Sequence, residues 1–518
     1  MASKTRRISG LVLAIGFCAL ATSAAVTVTV DPNTKYQTME GFGAFGGMNP
    51  YWTDLPYHNE SFLNLIVDTL GMTVNRMDLT AIEENPFGPR DWQVQVDFLK
   101  VLIAKHKASG EPFTLIASCW SPLAKYKINN NINGGRLIME KVAEVGEYLA
   151  SFIPKIKNDI GVDLYALGPQ NEPNLGTGYA SCEYNPYEVG YLAQATAAAI
   201  ARGGYSTKVH FSDDSPWGGC WWPCLAYDSV LSKPDRATGF NSVLQNAGMT
   251  ADMNHIANTV SLHYRNGNTE ESALTSYGSY AALAARTGKN IWNTEFGNGD
   301  DTWEQSWVNT TDMYHMINLG FSMIVYWLYG PHSNPAQIGE GLLLSYKRGP
   351  KGFGAQAFSR YIRPGYVRIK ATPTDAGMRT LAFTGDDGTA ATVLLINNSG
   401  GQQEVTVNGT GLPGGPYALY RTGQGFNCVK ETDYTMGQSL SIAPRQIVTL
   451  YFRPSPISRT SLPAQSGLRS RESGGHRLYT LRGALVEQSH GPGIYVRSGA
   501  TGASRAGRAT VEFQAQGR

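Results

Sequence analysis

Leu164-Tyr165-Ala166-Leu167-Gly168-Pro169-Gln170-Asn171-Glu172-Pro173 runs from a short apolar stretch into a polar turn bounded by glycine and proline. Such a stretch reads as a buried strand, here one that delivers a carboxylate to its carboxyl end. Asn290-Ile291-Trp292-Asn293-Thr294-Glu295-Phe296-Gly297 repeats the arrangement with a second glutamate. Most glutamates are solvated surface charges or sit in the first turn of a helix. Two of them at the ends of buried strands, brought together from distant stretches, form the pair that glycosidic bond hydrolysis needs. One protonates the leaving oxygen; the other attacks or activates water.

Around these two strands the chain alternates between strand and helix patterns. Strands are expected over 39–43, 74–79, 113–117, 164–167, 208–212, 259–263, 290–294 and 323–329. Helices are expected over 92–108, 136–156, 186–202, within 225–246, and over 273–286, 302–319 and 354–361. The spacing of Phe62, Leu63, Ile66, Val67 and Leu70 adds a helix closed by Gly71. Eight units of this size predict an α/β fold, a (β/α)8 TIM barrel over 39–365 with its functional groups at the strand carboxyl ends. From 366 to 453 the pattern changes to short alternating strands with Gly and Asn turns, an all-β sandwich side domain. The alternating Val26-Thr27-Val28-Thr29-Val30 predicts that 26–38 pairs with it. Residues 454–518, rich in Ser, Arg and Gly without periodicity, are expected as a disordered basic tail.

A net charge of +2 with 16% charged residues gives no basic surface for nucleic acid and no acidic block. A neutral or weakly charged substrate fits better. Aromatic residues make up 11% of the chain, and rings suit the flat apolar face of a pyranose. Lys4, Arg6 and Arg7, the apolar stretch 11–20 and the small residues 21–25 have the form of a secretory signal over 1–25. That stretch is too short to span a bilayer, so a secreted, extracellular protein is expected, free of the membrane after cleavage and monomeric. The cysteines beyond it are Cys119, Cys182, Cys220, Cys224 and Cys428. No zinc-ligand clustering accompanies them, and a bridge from Cys182 to Cys220 or Cys224 is expected. Sequons stand at Asn59, Asn309, Asn397 and Asn408. No metal or cofactor is expected: Gly41, Gly43, Gly46 and Gly47 lack the context of a dinucleotide fingerprint and read as turns over the barrel mouth.

Five stretches together resemble glycoside hydrolase family 30, of the retaining barrel clan. They are Glu40-Gly41-Phe42-Gly43, Cys119-Trp120-Ser121-Pro122, Gln170-Asn171-Glu172-Pro173, Asn293-Thr294-Glu295, and Phe358-Ser359-Arg360-Tyr361-Ile362-Arg363-Pro364-Gly365-Tyr366-Val367-Arg368-Ile369. The resemblance covers about 26–453. It implies that Glu172 is the general acid and base and Glu295 the nucleophile, coupled so that one is protonated while the other is charged. It puts the Asn171 amide on the sugar 2-hydroxyl. Arg76, and Tyr264 or its neighbour His263, would hold the nucleophile ionised and oriented. Trp120 and Trp327 would be sugar platforms, with core packing a competing reading for Trp120. Trp217, Trp221 and Trp222 would line outer subsites.

Lys347-Arg348-Gly349 and the 362–368 pattern look most like the xylan-cleaving branch. That implies a secreted endo-β-1,4-xylanase acting on a cell-wall polysaccharide. Glucuronoxylan-specific members carry an arginine after the strand-eight aromatics, where this chain has Leu328-Tyr329-Gly330-Pro331-His332, so strict dependence on glucuronic acid is not expected. The alternatives are cleavage of β-1,6-galactan or β-1,6-glucan, and a catalytically silent carbohydrate-binding protein.

Overall fold

Short strands, largely buried where their side chains are described, make up a ring of eight parallel strands. In chain order they are β2 (Gly41–Phe45), β3 (Val74–Asp78), β4 (Thr114–Ser118), β5 (Ala166–Gly168), β6 (Lys208–Phe211), β7 (Thr250–Asn254), β8 (Ile291–Phe296) and β9 (Phe321–Tyr326). Each pairs in parallel with the next, and β9 pairs with β2. The computed structural model describes residues 25–453 apart from 47–58, 81–87, 212, 215–223, 226–249, 255–269, 298, 332–338, 340 and 345–346, together with four strands between 477 and 513. The intervening helices are α1 (Glu60–Asn64), α2 (Gly88–Ser109), α3 (Val142–Ala150), α4 (Phe152–Ile160), α5 (Pro186–Arg202), α6 (Glu270–Thr287), α7 (Trp303–Asn318) and α8 (Pro350–Ser359). Helix α5 starts where its sequence dictates: Asn185 caps the amides of Tyr187 and Glu188, Glu188 returns the bond, and Pro186 stands in the first turn. The sixth ring strand differs from expectation, since 250–254 takes that place and 259–263 lies outside the described residues.

Inside the ring, Trp292 packs with Val74, Ile116, Ala166, Met323 and Val325. Layered side chains of this kind fill the interior of such rings. At its amino-terminal end the Glu40 carboxylate accepts from Tyr165 Oη at 2.6 Å, Trp292 Nε1 at 2.7 Å, Ser322 Oγ at 2.6 Å and Asn290 Nδ2 at 2.8 Å. The Glu40-Gly41-Phe42-Gly43 stretch is therefore a closure of the ring floor. Gly41 and Gly43 belong to β2, within the strand expected over 39–43, and not to the turn over the mouth that these glycines also suggested. A Cβ on Gly43 would overlap the Val74 carbonyl of the neighbouring strand, which explains the glycine.

The second sheet holds β1 (Val26–Thr38), β10 (Val367–Pro373), β11 (Met378–Thr384), β12 (Ala391–Asn397), β13 (Gln403–Asn408), β14 (Ala418–Gly423), β15 (Phe426–Lys430), β16 (Ser439–Ile442) and β17 (Ile447–Phe452), hydrogen-bonded in the order β15-β14-β17-β12-β11-β10-β1-β13-β16. Strand β1 runs antiparallel to β10 and parallel to β13. Strands β11 and β12 are buried on both faces. Leu381, Phe383, Leu394 and Ile396 join the core that contains Phe358 and Ile362, and Ala382, Val393 and Leu395 join a separate core with Val28, Val405 and Leu450. The 358–369 stretch fastens the sheet to the ring. Tyr361 packs 4.5 Å from Tyr420 and 5.3 Å from Tyr451, while Arg360 and Arg363 both pair with Glu111.

The carboxy-terminal unit, Ser455–Arg518, contains β18 (Arg477–Thr480), β19 (Leu485–Val486), β20 (Ile494–Ser498) and β21 (Thr510–Phe513) in an antiparallel sheet of order β19-β18-β20-β21. This differs from the expected tail without regular structure. The β-branched and aromatic residues of Ile494-Tyr495-Val496 and Thr510-Val511-Glu512-Phe513 account for it. Cys182 is a buried free thiol beside Cys119 and Tyr184, so the bridge expected from it is not made; Cys220 lies outside the described residues. Asn309 and Asn397 are buried inside α7 and β12, which removes two sequons as sugar acceptors. Asn59 and Asn408 are exposed. Among the described residues, no helix is long and apolar enough to cross a membrane.

Candidate active site

Arg76 is the hub. It follows Val74 by two residues on β3, so strand alternation turns it into the ring above the packed layer, and it is 0% exposed. Its Nη1 donates to Glu295 Oε2 at 2.8 Å, and its Nη2 donates to Asn171 Oδ1 at 2.8 Å and Asp213 Oδ2 at 3.2 Å. Nε donates to Ser118 Oγ at 3.2 Å. One guanidinium thus joins the ends of β3, β4, β5, β6 and β8. A buried arginine is tolerated only with such partners.

Glu295 faces inward because β8 is bulged. Between Trp292 and Glu295 this strand spends one residue more than β7 does between Asp252 and Asn254, and the register against β9 also slips between Asn293 and Phe296. A bulge re-aims side chains. Here Thr294 and Glu295 both turn into the ring, Thr294 Oγ1 donating to Asp213 Oδ1 at 2.8 Å.

Glu172 sits past the end of β5 with φ 46°, and Asp213 past the end of β6 with φ 53°. Both occupy the left-handed region that non-glycine residues seldom adopt. Their backbones meet there: the Glu172 amide donates to the Asp213 carbonyl at 2.8 Å. The Glu172 Oε2 is 3.5 Å from Asn171 Nδ2 and 3.3 Å from the Tyr179 hydroxyl. Burial of that hydroxyl, then the negative fields of Glu172 and Glu295, push it well above the usual tyrosine range. Gly168 makes room for this crossing. A Cβ there would overlap His210 and lie 2.7 Å from Asp213 Oδ2.

Trp120 lies with its ring centroid 4.8 Å from the Arg76 guanidinium, 5.3 Å from the Phe45 ring and 6.0 Å from the Trp327 ring; Phe45 and Trp327 stack at 4.7 Å. Trp120 is nearly buried and Trp327 half-buried. Together they make an aromatic wall beside the carboxylates. Of the residues singled out in the sequence, the structure brings together Glu172, Glu295, Asn171, Arg76, Trp120 and Trp327. His263, Tyr264, Trp217, Trp221 and Trp222 lie outside the described residues.

Asp213, His210, Ser118, Thr294, Phe45 and Tyr179 were not anticipated. Asp213 carried the same signal as Glu172, an acid just past an apolar strand; the others carried none. Of the two glutamates, Glu295 is paired with a guanidinium, while Glu172 faces the neutral donors Asn171 Nδ2 and the Tyr179 hydroxyl.

No protein-family model matches the chain. It is 26% identical over 408 residues to glucuronoxylanase XynC of Bacillus subtilis strain 168, covering 75% of this chain and 82% of that protein. It is 23% identical to an endo-beta-1,6-galactanase of Hypocrea rufa, covering 76% and 85%. Among solved structures it resembles the glycoside hydrolase family 30 subfamily 8 xylanase Xyn30A of Clostridium acetobutylicum, with a TM-score of 0.62 at 19% identity, covering 82% of this chain and 99% of that one. The resemblance to family 30, on its xylanase-like side, is borne out by these comparisons.

Proposed function

We propose that this chain, a glycoside hydrolase that groups with family 30, is a secreted retaining endo-β-1,4-xylanase that does not require glucuronic acid. The observation that carries the mechanism is the Arg76 hub, which binds Glu295 and Asn171 with one guanidinium. In this reading Glu295, held anionic by Arg76, attacks the anomeric carbon. Glu172 gives its proton to the departing oxygen. A glycosyl ester on Glu295 results; Glu172, now a base, then draws a proton from water that opens the ester. Asn171, whose amide oxygen is taken by Arg76, turns its Nδ2 toward the Glu172 carboxylate, 3.5 Å away, and in this reading gives a hydrogen of that amide to the sugar 2-hydroxyl. Retaining chemistry needs carboxyl groups about 5 to 5.5 Å apart, and the reading takes the ring as a complete (β/α)8 barrel with the second sheet as a sandwich-like buttress.

The assignment to xylan draws support from the similarity to a glucuronoxylanase and from the aromatic wall, which suits a pyranose face. Independence of glucuronic acid rests on the segment after β9. There Tyr329 is buried and its hydroxyl donates to the Val74 carbonyl at 3.0 Å, and no arginine stands in Leu328-Tyr329-Gly330-Pro331-His332. The galactanase relative favours a β-1,6-galactan as the second reading.

An activated 2-deoxy-2-fluoro xylobioside tests the mechanism. Such a substrate slows both steps but loads the ester when its leaving group needs no acid. Peptide mapping is expected to find the adduct on Glu295. A first-formed product of inverted anomeric configuration, with no adduct, would overturn the assignment.

A further inference from the structure

His210 lies beside Asp213 near the carboxyl end of the fifth ring strand. It sits on β6 and is wholly buried, as is Asp213. Its Nε2 is 3.0 Å from the Ala117 carbonyl oxygen, and its Nδ1 is 3.3 Å from Asp213 Oδ1. A carbonyl only accepts, so Nε2 carries a hydrogen. An unprotonated Nδ1 would then present its lone pair to a carboxylate oxygen. That carboxylate already receives Thr294 on Oδ1 and both Ser118, at 2.6 Å, and Arg76 on Oδ2, which is the donor set of an ionised group.

We propose that His210 is held as an imidazolium against the Asp213 carboxylate, and that this proton keeps the charge of Arg76 committed to Glu295. The inference deepens the proposed function and rests on its assignment of Glu295 as nucleophile. With the proton in place, Arg76 and His210 are positive and Asp213 and Glu295 negative. These four charges cancel. Without it, Arg76 faces two unbalanced anions in a region where charge is poorly screened, and its pull on Glu295 is divided.

Among the described residues, the charged and titratable groups near the pair include Arg76 and, within its field, Asp78 from β3, Glu295 from β8 through Arg76, Glu172 from the turn after β5, and buried Asp214 beside Asp213, whose Oδ2 accepts from the Tyr280 hydroxyl at 2.6 Å. Ser118 on β4, Thr294 on β8 and the Trp292 ring, 5.8 Å from the imidazole, are uncharged neighbours. His210 and Asp213 are positioning residues; substrate need not touch them.

Two measurements test this. In histidine-labelled wild-type protein, nitrogen NMR should show both His210 ring nitrogens protonated throughout about pH 5 to 8, where an ordinary histidine loses its proton. A neutral ring with a bare Nδ1 over that range overturns the proposal. In the second, His210→Gln, Asp213→Asn and the double variant are compared on an aryl β-xylobioside, whose leaving group needs no acid. His210→Gln strands the Asp213 charge and should lower kcat about 10- to 100-fold with little change in KM, the scale of one charged hydrogen bond. Asp213→Asn mimics the protonated pair, so adding it to His210→Gln should recover about tenfold or more. A double variant no better than His210→Gln alone overturns the proposal. Should His210→Gln fail to fold, the NMR result decides. If wild-type protein cleaves no xylosidic substrate, the functional reading falls while the NMR result still decides the proton.

Discussion

Arg76 and Glu295 are paired at 2.8 Å with neither side chain exposed to solvent. Their strands are not sequence neighbours, since Arg76 lies 219 positions before its partner. In so dry a place neither charge is stable alone, so the pair must be kept or lost as a unit.

Replacing Arg76 therefore costs stability as well as turnover. Arg76→Met should lower the unfolding free energy by about 3 to 5 kcal/mol, the usual loss when one partner of a buried pair is removed. Arg76→Lys keeps the charge but cannot reach Glu295, Asn171, Asp213 and Ser118 together, and should be inactive while partly restoring stability. Denaturant unfolding beside xylan hydrolysis checks both; wild-type turnover in the lysine variant would contradict the hub.

The two glutamates should separate kinetically. Glu295→Ala should abolish turnover on every substrate; the chain should still fold, at reduced stability, because Arg76 keeps Asp213 as a buried anionic partner. Glu172→Ala should retain activity on substrates with good leaving groups and be rescued by azide, because departure no longer needs an acid. Equal loss across all leaving groups would rule out Glu172 as the acid.

Gly168 is set by the crossing above it. Gly168→Ala would drive a methyl group into His210 and toward Asp213, displacing Asp213 from Arg76. An overpacking cost of about 1 to 3 kcal/mol is expected, with loss of turnover exceeding what the fall in thermal midpoint explains. A variant as active as the parent would show that the β5–β6 crossing is not tight.

Asp78, at the end of β3, has its carboxyl pushed up to about 6 by burial, against the lowering effect of Thr80. The folded protein then binds this proton more tightly than the unfolded chain, so the penalty is absent below about pH 4 and grows as pH rises through about 6. Asp78→Asn, which can still accept from Thr80, should match wild-type stability in acid and exceed it at pH 7 by about 1 to 3 kcal/mol. Thermal midpoints across pH test this; an advantage confined to acid would reverse the sign.

What the sequence displayed was whatever a single strand or helix end determines. Glu172 and Glu295 stood out because each closes an apolar run, and α5 because Asn185 and Pro186 mark its start. Asp213 had the same strand-end signature, but its value comes from Arg76, Ser118, Thr294 and His210 converging on it from β3, β4, β8 and β6, which no local pattern encodes. The bulge that turns Glu295 inward is equally silent, since it consists of pairing with β7 and β9. The Thr250–Asn254 strand has few β-branched residues and was passed over, and Cys182 was expected in a bridge because burial beside Cys119 cannot be read from spacing. Gly43 looked like a turn because the close approach of Val74 is a contact between strands.

The central claim is cleavage of a xylan backbone by this pair of glutamates. Wild-type protein and Glu295→Ala should be incubated with arabinoxylan, glucuronoxylan, β-1,6-galactan and β-1,6-glucan, and the reducing products sized by chromatography. Mixed xylo-oligomers from both xylans, absent with Glu295→Ala, are the predicted result. Cleavage confined to a β-1,6 polymer, or xylan products undiminished in Glu295→Ala, would contradict it.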